Sequence, residues 1–517
     1  MSLNMKGIVV CAGLALALGL RAAETEYRRL FAELSAADRA ADAAWESVKT
    51  PEEFQARRAA LRARLIEAVG GFPARTPLRA DVRATVPRDG YRIEKILFES
   101  RPNFHVTALA FVPDAAMFPP PYPAVLVTCG HASEGKASRG YQRACVMGAQ
   151  EGFLMMIYDP IDQGERLMST AGACCDGHNQ LGSKAIRVGL SAAQFRLWDG
   201  IRALDYLQSR PDVKGDRLGV MGNSGGGTMT SLLMAVDPRL KAAAPSCYIS
   251  SIRKVVGAIG PQDAEQCIYG QLKHGINHAA LVLMADAAVR CQFSDNDFFP
   301  LEGALETFGV VQRTASRVGL AARFSRTVVP GPHGWKESSR RSSLDWMRQW
   351  LMDEPPNGRT DADYAALDRT FDSTQADQGL PLMETRVTPD GKVVNLPGER
   401  TASDVLVDEL VGEGTPRLVF RETEPPRHRF YGDKSPAEEN ALLAQMLGRD
   451  LVTMRTDEIL SQARALVAQG APRPVLVAED AWVRPAERAI AEAPELFAGF
   501  KSLGDGTFRS AIRREAR

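Results

Sequence analysis

The chain has 517 residues, enough for two or three domains of ordinary size, which excludes a single small module. Hydrophobic residues make up 45% and charged residues 24%, as in folded proteins, so disordered and fibrous classes are excluded. The 63 Lys and Arg balance the 63 Asp and Glu, so no net charge attracts nucleic acid or an anionic membrane. A neutral, carbohydrate-like partner fits this balance better.

The first residues have the pattern of an export signal. Lys6 precedes the apolar run 8–20, and Ala22 and Ala23 supply small residues for cleavage. The run is shorter than the roughly 20 residues that a membrane span needs. We therefore predict a signal peptide over 1–23 and a secreted or periplasmic protein with no membrane span after cleavage.

Of the eight cysteines, Cys11 lies in this leader and the others fall between positions 129 and 291. An odd number then leaves at least one thiol unpaired, and the pairing of the rest stays open. No pair of CxxC units and no Cys/His series has the spacing of a zinc site, so no structural zinc is expected.

After a predicted helical lead-in over 24–80, short apolar runs alternate with helices. Residues 93–100 and 106–112 predict an antiparallel hairpin. The alternation that follows is typical of buried parallel strands covered by helices, and it predicts a doubly wound, mostly parallel α/β domain over 81–355. Strands are predicted at 124–128, 153–158, 218–221, 242–244, 289–293 and 327–329, and helices at 193–209, 226–236 and 338–352.

A Pro/Gly-containing segment at 353–358 marks a boundary, beyond which we predict a smaller α/β module over 356–517. Residues 455–498 repeat the helix and strand pattern of 197–242, although any two α/β units share such periodicity. The repeat places Ala481 where Ser224 stands, so the module is predicted to be a degenerate, catalytically silent repeat.

The strongest local signal is Gly222-Asn223-Ser224-Gly225-Gly226, a G-x-S-x-G motif between a predicted strand and a predicted helix. A nucleophile at such a turn has a crowded backbone, and flanking glycines relieve the clash. The alternatives are a structural turn or a phosphate loop, but the P-loop spacing and its Lys are absent. We therefore predict that Ser224 is a nucleophile.

A serine nucleophile needs a base and an acid that orients the base. In an α/β-hydrolase these follow the serine in the order acid, then His, and His333 comes directly behind the last predicted strand, whereas His428 has no such context. Asp295 and Asp297 both qualify as the acid. Asp297 is preferred because the following residues 298–300 could anchor its loop.

Acyl transfer also needs hydrogen-bond donors for the developing oxyanion. The backbone N–H of Gly225 is one candidate. The other is expected from the loop after strand 124–128, where His131 is preferred and Ala132 is the neighbouring alternative. A catalytic role for the His131 side chain is disfavoured, because His131 precedes Ser224 in the chain.

Together these residues resemble the acetyl xylan esterase-like α/β-hydrolases of bacterial polysaccharide breakdown, over about residues 50–352. The resemblance implies a Ser-Asp-His carbohydrate esterase without a metal or cofactor, and some members carry a degenerate second module. Gln is usual in that family where Gly225 stands here, which leaves the substrate open. The segments that carry the resemblance are Cys129-Gly130-His131 to Gly135-Lys136, Tyr158-Asp159-Pro160, Gly164-Glu165-Arg166, the Gly222–Gly226 motif, Asp297-Phe298-Phe299-Pro300 and His333-Gly334.

Two segments could shape a substrate cleft, 165–194 with His178 and 261–278 with Tyr269, His274 and His278. These histidines are expected to be locally bonded rather than ligands. Trp335 could form an apolar wall for a sugar ring or belong to the core. The predicted function is that of an exported serine carboxylesterase acting on polysaccharide or oligosaccharide esters. The alternatives are a serine peptidase on the same fold and an inactive carbohydrate-binding protein.

Overall fold

The computed structural model describes residues 27–169, 172–358 and 436–450, and, with gaps, 453–502. The signal peptide predicted for 1–23 and Ala481 lie outside the described residues. Among the helices that are described, none has the length and apolar character required to cross a bilayer. The chain divides into two compact units, 37–415 and 1–36 with 416–517. The domain boundaries derived from the sequence stay predictions.

The larger unit is built on one sheet, which has nine strands in the described part of the chain. Their spatial order is β1-β2-β3-β5-β4-β6-β7-β8-β9. β1, β2, β3 and β5 pair antiparallel, and all pairs from β5 to β9 are parallel. The strands are β1 (Asp81–Arg88), β2 (Tyr91–Arg101), β3 (Phe104–Pro113), β4 (Tyr122–Thr128), β5 (Leu154–Tyr158), β6 (Val213–Asn223), β7 (Leu240–Ser246), β8 (Ala288–Asn296) and β9 (Phe324–Pro332).

Helices follow the strands along the chain. Every residue of β4 and β5 is buried, which requires cover on both faces of the sheet. The doubly wound arrangement predicted from the sequence is thereby confirmed. The helices of this part of the chain are α1 (residues 27–46), α2 (Pro51–Ala68), α3 (Arg139–Ala149), α4 (Cys175–Ala185), α5 (Ala192–Ser209), α6 (Gly225–Val236), α7 (Ile252–Ile259), α8 (His278–Met284), α9 (Leu301–Arg317) and α10 (Glu337–Met347).

Local sequence signals explain the start of α2. Thr50 Oγ1 accepts a hydrogen bond from Glu53 N at 3.2 Å, and Glu53 Oε2 accepts one from Thr50 N at 3.3 Å, which forms a capping box. Arg62 then joins α2 to the rest of its unit, because it donates to the carbonyl of Ala235 and pairs with Asp286 at 2.6 Å. Thr50 is thus the N-cap of α2.

Several elements were not predicted individually, and β1 and α4 show why. Val82, Ala84 and Val86 alternate with polar residues in β1, but the first five residues of the strand are all exposed, so it is held by its pairing with β2 rather than by burial. α4 lies in the segment 165–194, for which no helix was predicted because its sequence carries few strong structural signals. Its Cys, Asp, Gly and His residues are weak helix formers, but His178 and Leu181 are buried and tertiary packing outweighs the propensity.

In the smaller unit, β10 (Val475–Ala478) and β11 (Gly499–Ser502) pair in parallel, with α12 (Val483–Glu492) between them in the chain. α11 (Pro436–Met446) precedes them, and Arg449 behind it pairs with Glu33 at 2.9 Å. β10 lies within the predicted repeat over 455–498. A strand-helix-strand unit is therefore present where the sequence pattern of 197–242 recurs.

Candidate active site

Ser224 occupies a strained turn between β6 and α6. Its backbone has φ 59° and ψ −127°, a left-handed conformation that side chains other than Gly rarely adopt. The conformation is held from outside, because Ser224 N donates to the carbonyl of Ser246 at the end of β7 at 2.9 Å. The hydroxyl thus stands at the carboxyl edge of the sheet, at the start of a helix.

The glycines around Ser224 are required by close contacts with β4. A Cβ on Gly222 would lie 2.4 Å from Thr128 Oγ1, and a Cβ on Gly226 would lie 2.1 Å from the Thr128 carbonyl oxygen. Thr128 Oγ1 also donates to the Gly226 carbonyl at 2.6 Å. No side chain fits at either position, which explains the G-x-S-x-G motif.

A strained serine at the strand-to-helix turn of a mostly parallel sheet, with histidine and acid to follow after later strands, defines one fold. The fold is that of the α/β-hydrolases. Without β1, the strand order is β2-β3-β5-β4-β6-β7-β8-β9. Ser224 follows β6, which is the strand next to β4. The fold class derived from the sequence is confirmed.

The α/β-hydrolase fold brings His333 and Asp297 together. Asp297 follows β8 and His333 follows β9, and His333 Nδ1 lies 2.8 Å from Asp297 Oδ1. The carboxylate accepts, so Nδ1 donates and Nε2 keeps the lone pair that a general base needs. Asp297 Oδ1 accepts a second bond from Phe299 N at 3.0 Å, and the Phe298 ring packs 4.2 Å from the imidazole.

Asp295 makes a different contact. Its Oδ1 accepts a hydrogen bond from Gly331 N at 2.6 Å, and the side chain is exposed. It therefore joins the end of β8 to the end of β9 and does not bond to His333 in the structure. Of the two candidate acids, Asp297 is the one that contacts the histidine.

Ser224, Asp297 and His333 stand at the same edge of the sheet. Cys247, which follows the Ser246 carbonyl that holds Ser224, lies with its Sγ within 4.8 Å of both Asp297 and His333. Burial and the Asp297 carboxylate raise the pKa of Cys247, so this thiol stays protonated. The structure records no hydrogen bond between Ser224 Oγ and His333, and such bonds often tighten only when substrate binds.

The two candidate oxyanion donors lie on the turn of residues 222–226, hereafter the elbow, and on the loop after β4. Gly225 begins α6, so its N–H has no acceptor within the helix. Tyr141 ties the loop to the elbow, since its hydroxyl donates to the Asn223 carbonyl at 2.9 Å and accepts from Gly130 N at 2.6 Å. Ala132 N already donates to the Gly130 carbonyl at 2.8 Å, which favours His131 over Ala132.

The His131 ring explains why Gly stands at position 225. A Cβ on Gly225 would lie 2.7 Å from His131 Nδ1 and 3.0 Å from Glu265 Oε1. The imidazole therefore occupies the space that a side chain at position 225 would need.

Behind the elbow, His131, His178, Asp263 and Glu265 form a buried polar cluster, hereafter the His131 cluster. Their possible ligand atoms all lie within 4.8 Å of one another. Arg196 is also buried and pairs with Glu265. Asp263 and Glu265 were not anticipated from the sequence, because two acids in a loop carry no specific signal. The cluster could hold a metal ion, which was not expected from the sequence.

The charges of the His131 cluster shift its titration. Burial lowers the pKa of His131, but the Asp263 carboxylate outweighs this effect and the pKa lies well above its usual value. Burial alone would raise the pKa of Asp263, but the two histidines hold it below its ordinary range. For His178, burial and then Arg196 lower the pKa. Positive charge is therefore favoured beside Asp263.

Residues 135–136, 158–160 and 164–166, which also carry the family resemblance, contribute to a buried ionic network. Lys136 pairs with Asp159 and with Glu165, the latter at 2.5 Å, and Asp159 also accepts from Thr107 Oγ1 at 2.6 Å. Arg166 donates to the Asp159 carbonyl at 2.8 Å. The network fixes the loops after β4 and β5, and with them the loop that carries His131.

Replacing Lys136 by Met is expected to destabilise the protein by about 3–5 kcal/mol, because two acids lose their buried cation. Urea unfolding measures this loss. Lys214→Met is the control, since Lys214 is exposed and should change stability by less than about 0.5 kcal/mol. Equal stability of the two variants would show that the network does not hold these loops.

Because His278 is buried, we expect the protein to lose stability in acid. It is buried, its Nδ1 accepts from Ser250 N at 3.1 Å, and burial lowers its pKa to about 4 from 6.5. The imidazole is neutral when folded, so its contribution is complete above pH 6.5 and is lost as the pH falls toward 4, up to about 3 kcal/mol.

The measurement is the urea midpoint of unfolding between pH 8 and pH 4.5. His278→Asn, which keeps an acceptor, should flatten the pH dependence, whereas His274→Asn at a half-buried position should leave it as in the wild type. An unchanged pH dependence in His278→Asn would contradict the assignment.

Trp335 belongs to the core. It is 8% exposed and packs in the cluster of buried residues beneath the elbow, with its ring 5.4 Å from that of Tyr141. This burial favours core packing, the alternative to a sugar-binding wall that the sequence left open. All seven cysteines between 129 and 291 are free thiols.

Comparison with known proteins gives the following similarities. No protein-family profile matches the chain. It is 27% identical over 203 residues to the "Putative hydrolase YtaP" of Bacillus subtilis (strain 168), covering 37% of this chain and 64% of that protein. The chain thus spans somewhat less than two thirds of this relative.

Among solved structures, the methylesterase BT1017 is similar with a TM-score of 0.49 and 18% identity, covering 70% of this chain and 76% of the other. An acetyl xylan esterase from Paenibacillus sp. R4 is similar with a TM-score of 0.42 and 16% identity, covering 60% of this chain and 99% of the other.

Proposed function

We propose that the chain is an exported serine carboxylesterase that hydrolyses sugar esters, such as acetylated xylan or a related polysaccharide. The observation that carries the proposal is the strained Ser224 at the same edge of the sheet as the His333–Asp297 pair. Export rests on the leader over 1–23.

In the proposed reaction Ser224 Oγ attacks the ester carbonyl while His333 Nε2 takes the hydroxyl proton. Asp297 holds the imidazole through Nδ1 and stabilises its positive charge. The backbone N–H groups of Gly225 and His131 donate to the oxyanion of the tetrahedral intermediate. Its collapse breaks the bond to the sugar oxygen, which leaves as an alcohol with the proton from His333.

The acyl-enzyme is then hydrolysed by the same groups. His333 Nε2 takes a proton from water, the hydroxide attacks the acyl carbonyl, and Ser224 leaves with that proton. The products are the free acid and the deacylated sugar. Apart from substrate and water, every group in these two steps belongs to the chain.

The test compares purified protein on p-nitrophenyl acetate, a peptide p-nitroanilide, and a panel of acetylated xylan, pectin and glucuronoyl esters. We expect turnover of the acetate and of at least one polysaccharide ester, with release of the acid. Faster cleavage of the anilide would show that the protein is a serine peptidase rather than an esterase. No turnover of any substrate would favour an inactive carbohydrate-binding protein.

A further inference from the structure

The esterase mechanism uses only the backbone of His131 and leaves the side chains of the His131 cluster without a role. Two imidazoles and two carboxylates converge there, and three of the four residues are fully buried or nearly so. Side chains of these types are placed together at a cost in desolvation, which a bound cation offsets.

We propose that His131, His178, Asp263 and Glu265 bind one divalent transition-metal ion of the zinc type. Zinc prefers four ligands from imidazole and carboxylate groups at about 2.0–2.1 Å, which places neighbouring ligand atoms roughly 3.3 Å apart. In the structure Asp263 Oδ2 lies 2.8 Å from His131 Nε2 and 2.8 Å from His178 Nδ1. Glu265 oxygens lie 3.2 and 3.9 Å from the same two nitrogens.

The second nitrogen of His178 shows why a cation is needed. Its Nε2 lies 3.1 Å from the Ile161 carbonyl oxygen, which can only accept, so Nε2 must donate. In neutral His178 the lone pair of Nδ1 then faces the Asp263 carboxylate at 2.8 Å, although neither atom carries a proton. Only a metal ion or a second proton can stand between them. Metal-binding histidines typically donate their other nitrogen to a carbonyl in this way.

The carboxylates also have unused acceptor capacity. Glu265 is 0% exposed, and its Oε1, which faces His131, receives no hydrogen bond. Its other oxygen pairs with Arg196, so one carboxylate could join the guanidinium to the metal. Asn179 Oδ1 accepts from Ala264 N at 3.0 Å, which fixes the segment between the two acids beside His178.

The site adjoins the elbow, so the ion would act on the oxyanion donors. The His131 ring lies against Gly225, because a Cβ added at Gly225 would lie only 2.7 Å from His131 Nδ1. A metal bond to Nε2 holds the ring, and with it the backbone N–H of His131, in a fixed position. Binding of the ion does not depend on the proposed esterase reaction.

The experiment measures the metal content of the full chain purified without chelator, by inductively coupled plasma mass spectrometry. We expect about one zinc per chain in the wild type, in Ser224→Ala and in the control His105→Gln, a histidine outside the cluster. His178→Gln and Asp263→Asn should retain less than about a tenth of this amount. Metal in Ser224→Ala separates the site from the catalytic proposal.

A second measurement uses only the wild type, so it remains decisive if the variants fail to fold. The wild type is stripped with dipicolinate and then titrated with Zn²⁺, and its melting temperature should rise with zinc concentration. Two results would overturn the proposal: wild-type protein that holds no metal and shows no melting shift with Zn²⁺, which leaves a proton between His178 and Asp263, or undiminished metal in both cluster variants.

Discussion

Ser224→Ala is expected to lower kcat/KM on p-nitrophenyl acetate by roughly 10⁴- to 10⁶-fold. The methyl group cannot attack a carbonyl, and neither His333 nor Asp297 can replace it as a nucleophile. The turnover that the oxyanion donors alone can support is far smaller than that of the wild type. The measurement is initial rate against substrate concentration, with protein whose melting temperature confirms that it is folded.

Ser224→Gly provides a matched control for folding. Glycine adopts the φ of 59° without strain, so this variant should be more stable than the wild type by about 1 kcal/mol and equally inactive. If either variant keeps more than a tenth of the wild-type rate, Ser224 is not the nucleophile.

Asp297→Asn is expected to lower kcat by about 10⁴-fold, the second largest effect. An amide at this position can donate to His333 Nδ1 and favour the tautomer whose Nε2 carries the proton and cannot act as a base. The fold should persist, because Asn has the size and shape of Asp, and an amide turned toward His333 loses only the hydrogen bond from Phe299 N, at a cost of about 1 kcal/mol. The measurement is kcat on the acetate ester, with melting temperature as the check on folding.

The neighbouring acid supplies the control. Asp295 accepts only from Gly331 N and has no contact with His333, so Asp295→Asn should change kcat by no more than about threefold. An equal loss in both variants, or a greater loss in Asp295→Asn, would transfer the role of the acid or show that the loop as a whole matters.

The sequence was informative where chemistry requires a local pattern. The glycines at 222 and 226 touch Thr128, so the elbow demands them, and they mark Ser224 without any knowledge of the fold. Parallel strands end at the same edge of the sheet. The acid and the histidine were therefore sought directly after later strands, which led to Asp297 and His333. The preference for Asp297 over Asp295 came from the adjacent residues 298–300, and in the structure Asp297 is the acid that contacts His333.

The sequence was uninformative where contacts join distant segments. Asp263 and Glu265 meet His131 across more than a hundred positions, and no spacing rule connects them. Gly225 could be seen in the sequence, but the contact with the His131 ring that leaves no space for a side chain there could not. α4 was missed because its helix depends on the burial of His178 and Leu181 rather than on propensity.

The most direct test of the account is labelling of the folded protein with a fluorophosphonate, followed by intact mass and peptide mapping. Only an activated serine reacts at a useful rate. The account predicts one adduct per chain, on Ser224, with no adduct in Ser224→Ala and much slower labelling in Asp297→Asn. Failure of folded wild-type protein to react, or an adduct on another serine, would contradict it.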